Sequence, residues 1–335
     1  MAALKLLGIT IPESYGGAGL NTLALTIVLE EVAAVDGSLA LILASHNSLC
    51  TTHLYRFGNE RQRELYVVPL AQGKTLGAWA LTEAGSGSDA AAMSTSAVLS
   101  GDEWCINGSK LFITQGSTAG VYLIMARTDF DKGKKGISAF VVEKGTAGLT
   151  VGKPELKLGV RASDTAALYF ENLRIPKENL VGNLNQAYED VLSILDGGRI
   201  GIGAMALGLA RGALMRSITH AKTRSQFGKT LGSFQAIQSK LSDMSTEVDA
   251  ARLLIYQAAV LKDTGKPFQM AASEAKLFAS EVANRVTNQA MQIHGGSGLM
   301  QEAELERYFR DMKLCEIGEG TSEIQRMVIA KNLLR

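Results

Sequence analysis

The chain has 335 residues, which at roughly 150 residues per domain allows two domains and a large buried core. Its 34 Lys and Arg against 33 Asp and Glu leave a formal net charge of +1, so the overall charge does not favour nucleic acid or an anionic membrane. Three scattered cysteines without C-x-x-C spacing argue against a disulfide framework or a zinc site and favour a reducing compartment. The longest apolar stretches are shorter than the ~20 residues of a membrane span, and the first residues lack the features of a secretory signal. We expect a soluble, cytoplasmic protein.

Residues 1–73 predict a helical N-terminal segment. Apolar residues recur at three-to-four spacing from Leu23 to Ala34, and a second helical pattern stops at Pro69 and Gly73.

Residues 74–174 predict a central antiparallel β domain. The apolar period changes to two, in runs such as 121–126 and 137–142. The dipeptide Asn107-Gly108 predicts a type I′ hairpin turn between two strands.

Residues 175–335 predict a helical bundle. Three long apolar periodicities follow Pro176, and the first of them contains several glycines, each of which costs about 1 kcal/mol against alanine in a helix interior. We interpret these glycines as points of close helix packing. The fold class is therefore α+β, without the strand–helix alternation of a parallel Rossmann sheet.

Two segments of the β domain are unusual. The segment 79–92 ends in a glycine–serine loop, Gly85 to Asp89, whose backbone N–H groups can point at an anion or at the polar edge of a ring, although a plain turn is the commoner meaning. In KLFIT, Phe112 and Thr114 share one face, which suits packing on a flat ring, although core packing is the default.

Two segments of the bundle could carry chemistry. Asp196 and Arg199 lie one helical turn apart. This spacing indicates either a weak ion pair at the start of a helix or a pair of polar side chains that hold a ligand. Glu319 lies between two glycines, and Ser322 with Gln325 predicts a capping box that starts the next helix. A carboxylate in such a loop can approach a substrate closely and act as a base. The alternative interpretation is a mobile surface loop without a catalytic role. His46 and His53 lack further metal-ligand spacing, so we expect no metal.

In this order, the segments resemble the acyl-CoA dehydrogenases, most nearly the short-chain (butyryl-CoA) group. The resemblance covers nearly the whole chain and implies a helical N-terminal domain, a middle β domain and a C-terminal four-helix bundle. It rests on IPESYGGAG (11–19), FGNERQRELYVVPLAQG (57–73), WALTEAGSGSDAA (79–91), INGSKLFIT (106–114), GVRASDTAALYFENLRIP (159–176), DGGRIGIGAMALG (196–208), RSQFGKTLGSFQAIQ (224–238), QIHGGSG (292–298) and IGEGTSEIQR (317–326).

The resemblance implies FAD as the cofactor, held between the β domain and the bundle, with some contacts from a neighbouring subunit. The implied cofactor-binding residues are Trp79, Ala80, Leu81, Thr82, Ser88, Phe112, Ile113, Thr114, Arg224, Gln235, Gln292, Ile293, His294, Gly295, Gly296, Thr321, Ser322 and Glu323.

The resemblance also implies the reaction, which is dehydrogenation of a short- or medium-chain acyl-CoA to a trans-2-enoyl-CoA in fatty acid β-oxidation. Glu319 is the implied base, and Gly198 stands where some members of the family carry the base instead. The implied substrate-binding residues are Ser88, Asp196, Gly197, Gly198, Arg199 and Gly320.

The implied partners are electron-transfer flavoprotein and further copies of the chain in a tetramer built as a dimer of dimers. Relatives carry two helices before the point where this chain starts, so the N-terminal domain is expected to be incomplete, and a mitochondrial matrix location is the alternative to the cytoplasm. The alternatives in function are an acyl-CoA oxidase-like flavoprotein, a non-catalytic scaffold, and a DNA-associated relative, which the lack of a basic run argues against.

Overall fold

The computed structural model describes residues 1–334, which form two compact units. The first unit contains Met1–Asn21, Ile42–Leu156 and Ser163–Gly198. The second contains Thr22–Leu41, Lys157–Ala162 and the chain from Arg199 onward. The division into segments 1–73, 74–174 and 175–335 stays a prediction beside this description.

Helices dominate both ends of the described chain. Two π-helical segments, Ser45–Thr51 and Arg63–Val67, interrupt the helical path in its N-terminal part. The α-helices are α1 (Thr22–Ala33), α2 (Gly37–Ala44), α3 (Thr52–Phe57), α4 (Glu60–Gln62), α5 (Val68–Ala71), α6 (Ala187–Thr223), α7 (Gln235–Asp263), α8 (Gln269–His294), α9 (Leu305–Ile317) and α10 (Ser322–Leu333).

The first unit contains an eight-stranded sheet in the order β6-β7-β3-β2-β4-β5-β8, with β1 paired to β4. Most pairs are antiparallel, whereas β1 runs parallel to β4, as does β2 through a single residue pair. Its strands are β1 (Gly77–Ala80), β2 (Ser96–Ser100), β3 (Glu103–Thr114), β4 (Val121–Arg127), β5 (Ile137–Glu143), β6 (Leu149–Val151), β7 (Thr165–Pro176) and β8 (Leu180–Val181). The second unit adds only a short hairpin, β9 (Ser225–Gln226) with β10 (Lys229–Thr230).

The central strand β4 explains where the core of the first unit lies. Val121, Leu123 and Met125 pack into one apolar cluster. Tyr122, Ile124 and Ala126 pack into a second cluster. Because successive side chains of a strand point to opposite faces, both faces of the sheet are covered at β4, and its sequence is an unbroken apolar run.

The predicted hairpin turn at Asn107-Gly108 is wrong. Both residues lie inside the continuous strand β3, where the pairing with β7 shifts between Ile106 and Gly108. Gly108 has φ +141°, and a Cβ there would lie 2.7 Å from Thr95 Cα. The glycine therefore serves a β-bulge and a close backbone approach, which the dipeptide alone cannot distinguish from a turn.

A reciprocal cap starts α4 in the first unit. The Asn59 side chain accepts a hydrogen bond from Gln62 N at 2.9 Å, and Asn59 N donates to Gln62 Oε1 at 3.0 Å. We expect Asn59→Ala to lower the free energy of unfolding by about 1 kcal/mol, because the N–H group of Gln62 loses its acceptor. Urea denaturation checks this, with Asn59→Asp as the control that keeps a capping oxygen; equal stability of the alanine variant and the wild type would contradict it.

The predicted close packing at the α6 glycines is confirmed at Gly208 and Gly212. A Cβ at Gly208 would lie 2.4 Å from Glu30 O, and one at Gly212 would lie 2.4 Å from Ala34 O, so α6 approaches the backbone of α1 and the turn after it at van der Waals distance.

Helix α6 is also long and apolar enough to cross a membrane by length and composition. However, 72% of its most apolar window is buried within the molecule, as in the core helix of a soluble protein.

Candidate active site

Glu319 occupies a strained turn between two helices of the second unit. Helix α9 ends at Ile317 and α10 begins at Ser322, so the predicted loop position is confirmed. Glu319 has φ +54° and Gly320 has φ +98°, both in the left-handed region. A non-glycine residue there costs of order 1 kcal/mol or more, and such strain concentrates at functional sites.

Hydrogen bonds from two side chains hold this turn. Gln325 Nε2 donates to Gly320 O at 2.8 Å and to Glu319 O at 3.3 Å. Lys276 Nζ, from α8, donates to Gly320 O at 2.6 Å. The carbonyl groups of Glu319 and Gly320 are therefore held by side chains of the neighbouring helices α8 and α10.

The predicted capping box of Ser322 and Gln325 is wrong. Thr321 is the N-cap of α10, and its side chain accepts from Ile324 N at 3.4 Å. Gln325 is instead engaged with the carbonyl groups of the turn, and within residues 1–334 the buried Ser322 Oγ has no hydrogen-bond partner. The N-cap therefore lies one residue before the predicted position.

The carboxyl group of Glu319 is in an environment that favours its protonated form. The residue is partly exposed, but Oε2 is buried and has no hydrogen-bond partner among the described residues. Burial raises the pKa of Glu319 to about 7, against the opposing charges of Lys276 and Arg199. Desolvation therefore outweighs the positive groups around this carboxyl.

This pKa shift predicts a pH-dependent effect of Glu319 on stability. The folded protein holds the Glu319 proton to about pH 7, whereas an unfolded chain releases it near pH 4.5, so the stabilising contribution is complete below about 4.5 and is lost as the pH rises through 7. One pKa unit is about 1.4 kcal/mol, and allowing for the partial exposure we expect Glu319→Gln to be about 2 kcal/mol more stable than the wild type at pH 8.

Urea denaturation at pH 5 and pH 8 measures this difference. We expect it to shrink toward pH 5. The matched control is Glu247→Gln, which alters a surface carboxylate paired with Arg285 at 3.0 Å. A glutamine variant of Glu319 that is less stable than the wild type at pH 8 would contradict the prediction.

Arg199 and Lys276 are the two cations near Glu319. Arg199 is buried in the interior of α6, and its Nη1 donates to Ser273 Oγ of α8 at 3.2 Å. Because α6 begins at Ala187, Asp196 and Arg199 lie well inside the helix, so the predicted position at a helix start is wrong. Gly197 and Gly198 are buried and Asp196 is half-buried.

In the first unit, a buried ion pair anchors the glycine–serine loop. Lys110 Nζ lies 2.7 Å from Glu83 Oε1 and donates to Leu81 O at 3.0 Å. Glu83 Oε2 accepts from Ser94 N at 2.6 Å, and Oε1 accepts from Thr95 N at 3.0 Å. The two charged side chains therefore tie together both ends of the loop.

The loop itself is open. Ser88 is exposed, and a Cβ at Gly85 or Gly87 would meet nothing within 4 Å. Before the loop, Trp79, Ala80 and Leu81 are buried, and Thr82 O accepts from Leu111 N at 2.8 Å. A ligand can therefore approach the bare backbone of a loop whose ends are fixed.

Phe112 departs from the core packing that is the default for an aromatic residue on a strand. It is 66% exposed and has φ +57°, at an irregularity where the register shifts between Lys110 and Ile113. Ile113 is buried and Thr114 half-buried. An exposed ring on left-handed backbone beside an open glycine loop fits a flat aromatic ligand such as a flavin.

Two buried histidines of the first unit, His46 and His53, accept hydrogen bonds from neighbouring residues. Trp79 Nε1 donates to His53 Nδ1 at 3.2 Å, and Gly77 N donates to His46 Nδ1 at 3.1 Å. Burial lowers the pKa of His46 to about 4 and that of His53 to about 3, so both are neutral. Residues 1–334 contain no cluster of three or more His, Cys, Asp or Glu side chains that could hold a metal ion.

The second unit brings three of the predicted cofactor residues to one groove. Arg224, His294 and Gly296 line a groove of about 1160 Å³, in which the rings of His294 and His220 stack with centroids 4.1 Å apart. Gln292 and Gly295 line a separate, smaller cavity of about 290 Å³, and Ile293 is buried. Gln235 starts α7 and is exposed, as is Glu323 in the first turn of α10.

Sequence reasoning missed Lys110, Glu83 and Lys276. Two of them could have been recognised from the hydrophobic period of the sequence. Lys110 follows Trp104 and Ile106 on the inward face of β3. Lys276 falls four residues after Ala272 on the buried face of α8. A lysine at a position that periodicity assigns to the core is a candidate for a specific buried role.

Comparison with known proteins identifies the family. Models of the acyl-CoA dehydrogenase N-terminal, middle and C-terminal domains match residues 1–74, 78–173 and 188–334. The chain belongs to the acyl-CoA dehydrogenase family, and the predicted fold class and enzyme class are confirmed.

Individual relatives resemble the chain over its full length. It is 45% identical over 335 residues to the short-chain specific acyl-CoA dehydrogenase of Clostridium acetobutylicum, covering 100% of this chain and 88% of the relative. The solved butyryl-CoA dehydrogenase of Megasphaera elsdenii is 43% identical with a TM-score of 0.98, over 100% of this chain and 88% of that one. A chain in a structure described as the electron transferring flavoprotein of Acidaminococcus fermentans is 46% identical with a TM-score of 0.99, over the same shares.

Proposed function

We propose that the chain oxidises a short- or medium-chain acyl-CoA to its trans-2-enoyl-CoA with bound FAD, and that Glu319 is the base that removes the α-proton. The observation that carries this proposal is the Glu319 carboxyl, with a buried Oε2 that lacks a partner within the described residues and a pKa raised to about 7 by burial. A general base is most effective when its pKa lies near the working pH.

The turn suits this chemistry. An α-carbon next to a thioester is a poor acid, so removal of its proton needs a desolvated base and stabilisation of the charge that develops on the carbonyl oxygen. The main-chain N–H of Glu319 supplies a donor for that oxygen in the proposed arrangement. The glycine at 198 leaves Glu319 as the base in this chain.

FAD, when bound, supplies the acceptor for the hydride that leaves the β-carbon. We assign its ring system to the buried strand end at 79–82, the open loop with Ser88, and the exposed Phe112 with Ile113 and Thr114. These residues orient the ring and exclude water from one side of it.

We assign the adenosine and pyrophosphate end of FAD to residues of the second unit. A cationic side chain at Arg224, a glycine turn at 295–296 and the start of α10 suit phosphate groups. The assigned set is Arg224, Gln235, Gln292, Ile293, His294, Gly295, Gly296, Thr321, Ser322 and Glu323.

The thioester end of the substrate is assigned to Asp196, Gly197, Gly198, Arg199, Gly320 and Ser88. Electron-transfer flavoprotein is the proposed electron acceptor, which the likeness to a chain in an electron transferring flavoprotein structure supports. We also propose a tetramer. We further propose a cytoplasmic location in a bacterium, which the bacterial origin of these relatives supports.

Anaerobic titration with butyryl-CoA tests the function. We expect the purified protein to carry a visible flavin band that bleaches with butyryl-CoA and recovers on addition of electron-transfer flavoprotein. Recovery in air alone, at the same rate, would favour an oxidase, and a flavin band that no acyl-CoA bleaches would contradict the proposed substrate class.

A further inference from the structure

Lys276 is a buried cation with an unusual partner. It lies within α8, and its relative exposure is 0%. Its Nζ donates a hydrogen bond to Gly320 O, in the turn that carries Glu319, at 2.6 Å. Within residues 1–334 no carboxylate lies within salt-bridge distance of this Nζ. A buried ammonium group is costly unless another charge compensates it.

The groups that face Lys276 come from two helices and the turn. They are Arg199 on α6, Cys315 and Glu316 on α9, and Glu319. Burial raises the pKa of Cys315 to about 12, so its thiol is neutral, and Glu316 already pairs with Lys313. Glu319 is therefore the negative group that Lys276 can compensate.

The position of Lys276 is set by close packing. A Cβ at Gly203 of α6 would lie 3.5 Å from Lys276 Cα, so α6 and α8 meet at this residue. Its ammonium group donates to the carbonyl oxygen of Gly320, the residue after Glu319. Gln325 donates to the same carbonyl oxygen.

We propose that Lys276 is a positioning residue for Glu319: its ammonium group holds the turn at Gly320, and its charge favours the ionised form of the Glu319 carboxyl. This inference rests on the proposed role of Glu319 as the base. Without the charge of Lys276, only Arg199 would oppose the effect of burial, so more of Glu319 would be protonated at neutral pH, and a protonated carboxyl cannot remove the α-proton.

Three substitutions separate the two parts of this role. Lys276→Arg keeps charge and donors, Lys276→Gln keeps a donor without charge, and Lys276→Met keeps neither. The matched control is Lys240→Gln, which removes a lysine of α7 that donates to the neutral side chain of Gln289.

The primary measurement is the pKa of Glu319 in the purified protein, followed by NMR of ¹³C-labelled glutamate and assigned by the signal lost in Glu319→Gln. We expect Lys276→Gln to raise this pKa by about one unit or more, a tenfold change in proton affinity. The pH at which kcat is half-maximal should rise equally with little change in KM, Lys276→Arg should resemble the wild type, and Lys276→Met should also lower kcat at high pH.

A reciprocal measurement covers the case in which the neutral variants do not fold. Coupling between two groups is mutual, so Glu319→Gln must lower the pKa of Lys276, which burial already lowers to about 8, by the same amount. ¹³C-labelled lysine reports it without any turnover.

An unchanged pKa of Glu319 in Lys276→Gln, or of Lys276 in Glu319→Gln, would overturn the proposal. These readouts do not depend on activity, so they are separate from a failure of the proposed function, which would appear as full activity in Glu319→Gln.

Discussion

Replacement of Glu319 by glutamine is expected to slow flavin reduction by butyryl-CoA by about ten-thousand-fold, the upper end of what a general base contributes. Glutamine has nearly the same shape, so the turn held by Gln325 and Lys276 should persist while the proton acceptor is lost. Stopped-flow absorbance of the flavin under anaerobic conditions measures the rate.

The control for this experiment is Glu247→Gln, a surface carboxylate of α7. It should reduce its flavin at the wild-type rate. A Glu319→Gln variant within tenfold of the wild type, with its flavin band intact, would show that another group removes the proton.

Replacement of Lys110 by methionine is expected to lower the free energy of unfolding by about 3–5 kcal/mol, because it leaves a buried carboxylate without its cation. The Glu83 side chain is only 5% exposed, and its oxygens also bind the backbone of residues 94 and 95. Burial raises the pKa of Glu83, but the charge and hydrogen bond of Lys110 outweigh it and lower the pKa to about 2.

Urea denaturation of Lys110→Met and of the double variant with Glu83→Gln measures this effect. The double variant should recover part of the loss, since neither charge is then buried alone. In the wild type the contribution of Glu83 is present above about pH 4.5 and is lost as the pH falls toward 2. Equal stability of Lys110→Met and the wild type at pH 7 would contradict the account of this pair.

The sequence predicted the elements whose pattern is periodic or whose residues are unusual in combination. The strands of the middle segment, the long bundle helices, close packing at Gly208 and Gly212 of α6, and the loop position of Glu319 between two glycines are all confirmed. Each of these follows from local chemistry, namely strand period, helix period, or the small size of glycine. The predicted period of two is wrong for the runs 121–126 and 137–142, which are buried on both faces of the sheet.

The sequence could not predict features that depend on what lies opposite in space. Asn107-Gly108 has the composition of a turn, but Thr95 packs against Gly108 and the strand continues. Gln325 has the spacing of a capping residue, but its amide nitrogen donates to the carbonyl groups of Glu319 and Gly320, and Thr321 is the N-cap.

Buried lysines are the clearest case. Lys110 and Lys276 stand at positions that the strand and helix periods assign to the core, but only the structure shows their partners: Lys110 donates to Leu81 O and Glu83, and Lys276 donates to Gly320 O. The sign of the pKa shift of Glu319 likewise depends on the balance of burial against Lys276 and Arg199, which residue order does not contain.

The most direct test of the central claim is α-hydrogen exchange in deuterated water on an acyl-CoA analogue whose β-carbon is replaced by sulfur. Such a thioester has an α-proton but no β-hydrogen to transfer, so exchange reports the base alone. NMR or mass spectrometry of the recovered analogue should show deuterium at the α-carbon with the wild-type protein and none above the uncatalysed rate with Glu319→Gln. Exchange at the wild-type rate with Glu319→Gln would contradict the assignment of Glu319 as the base.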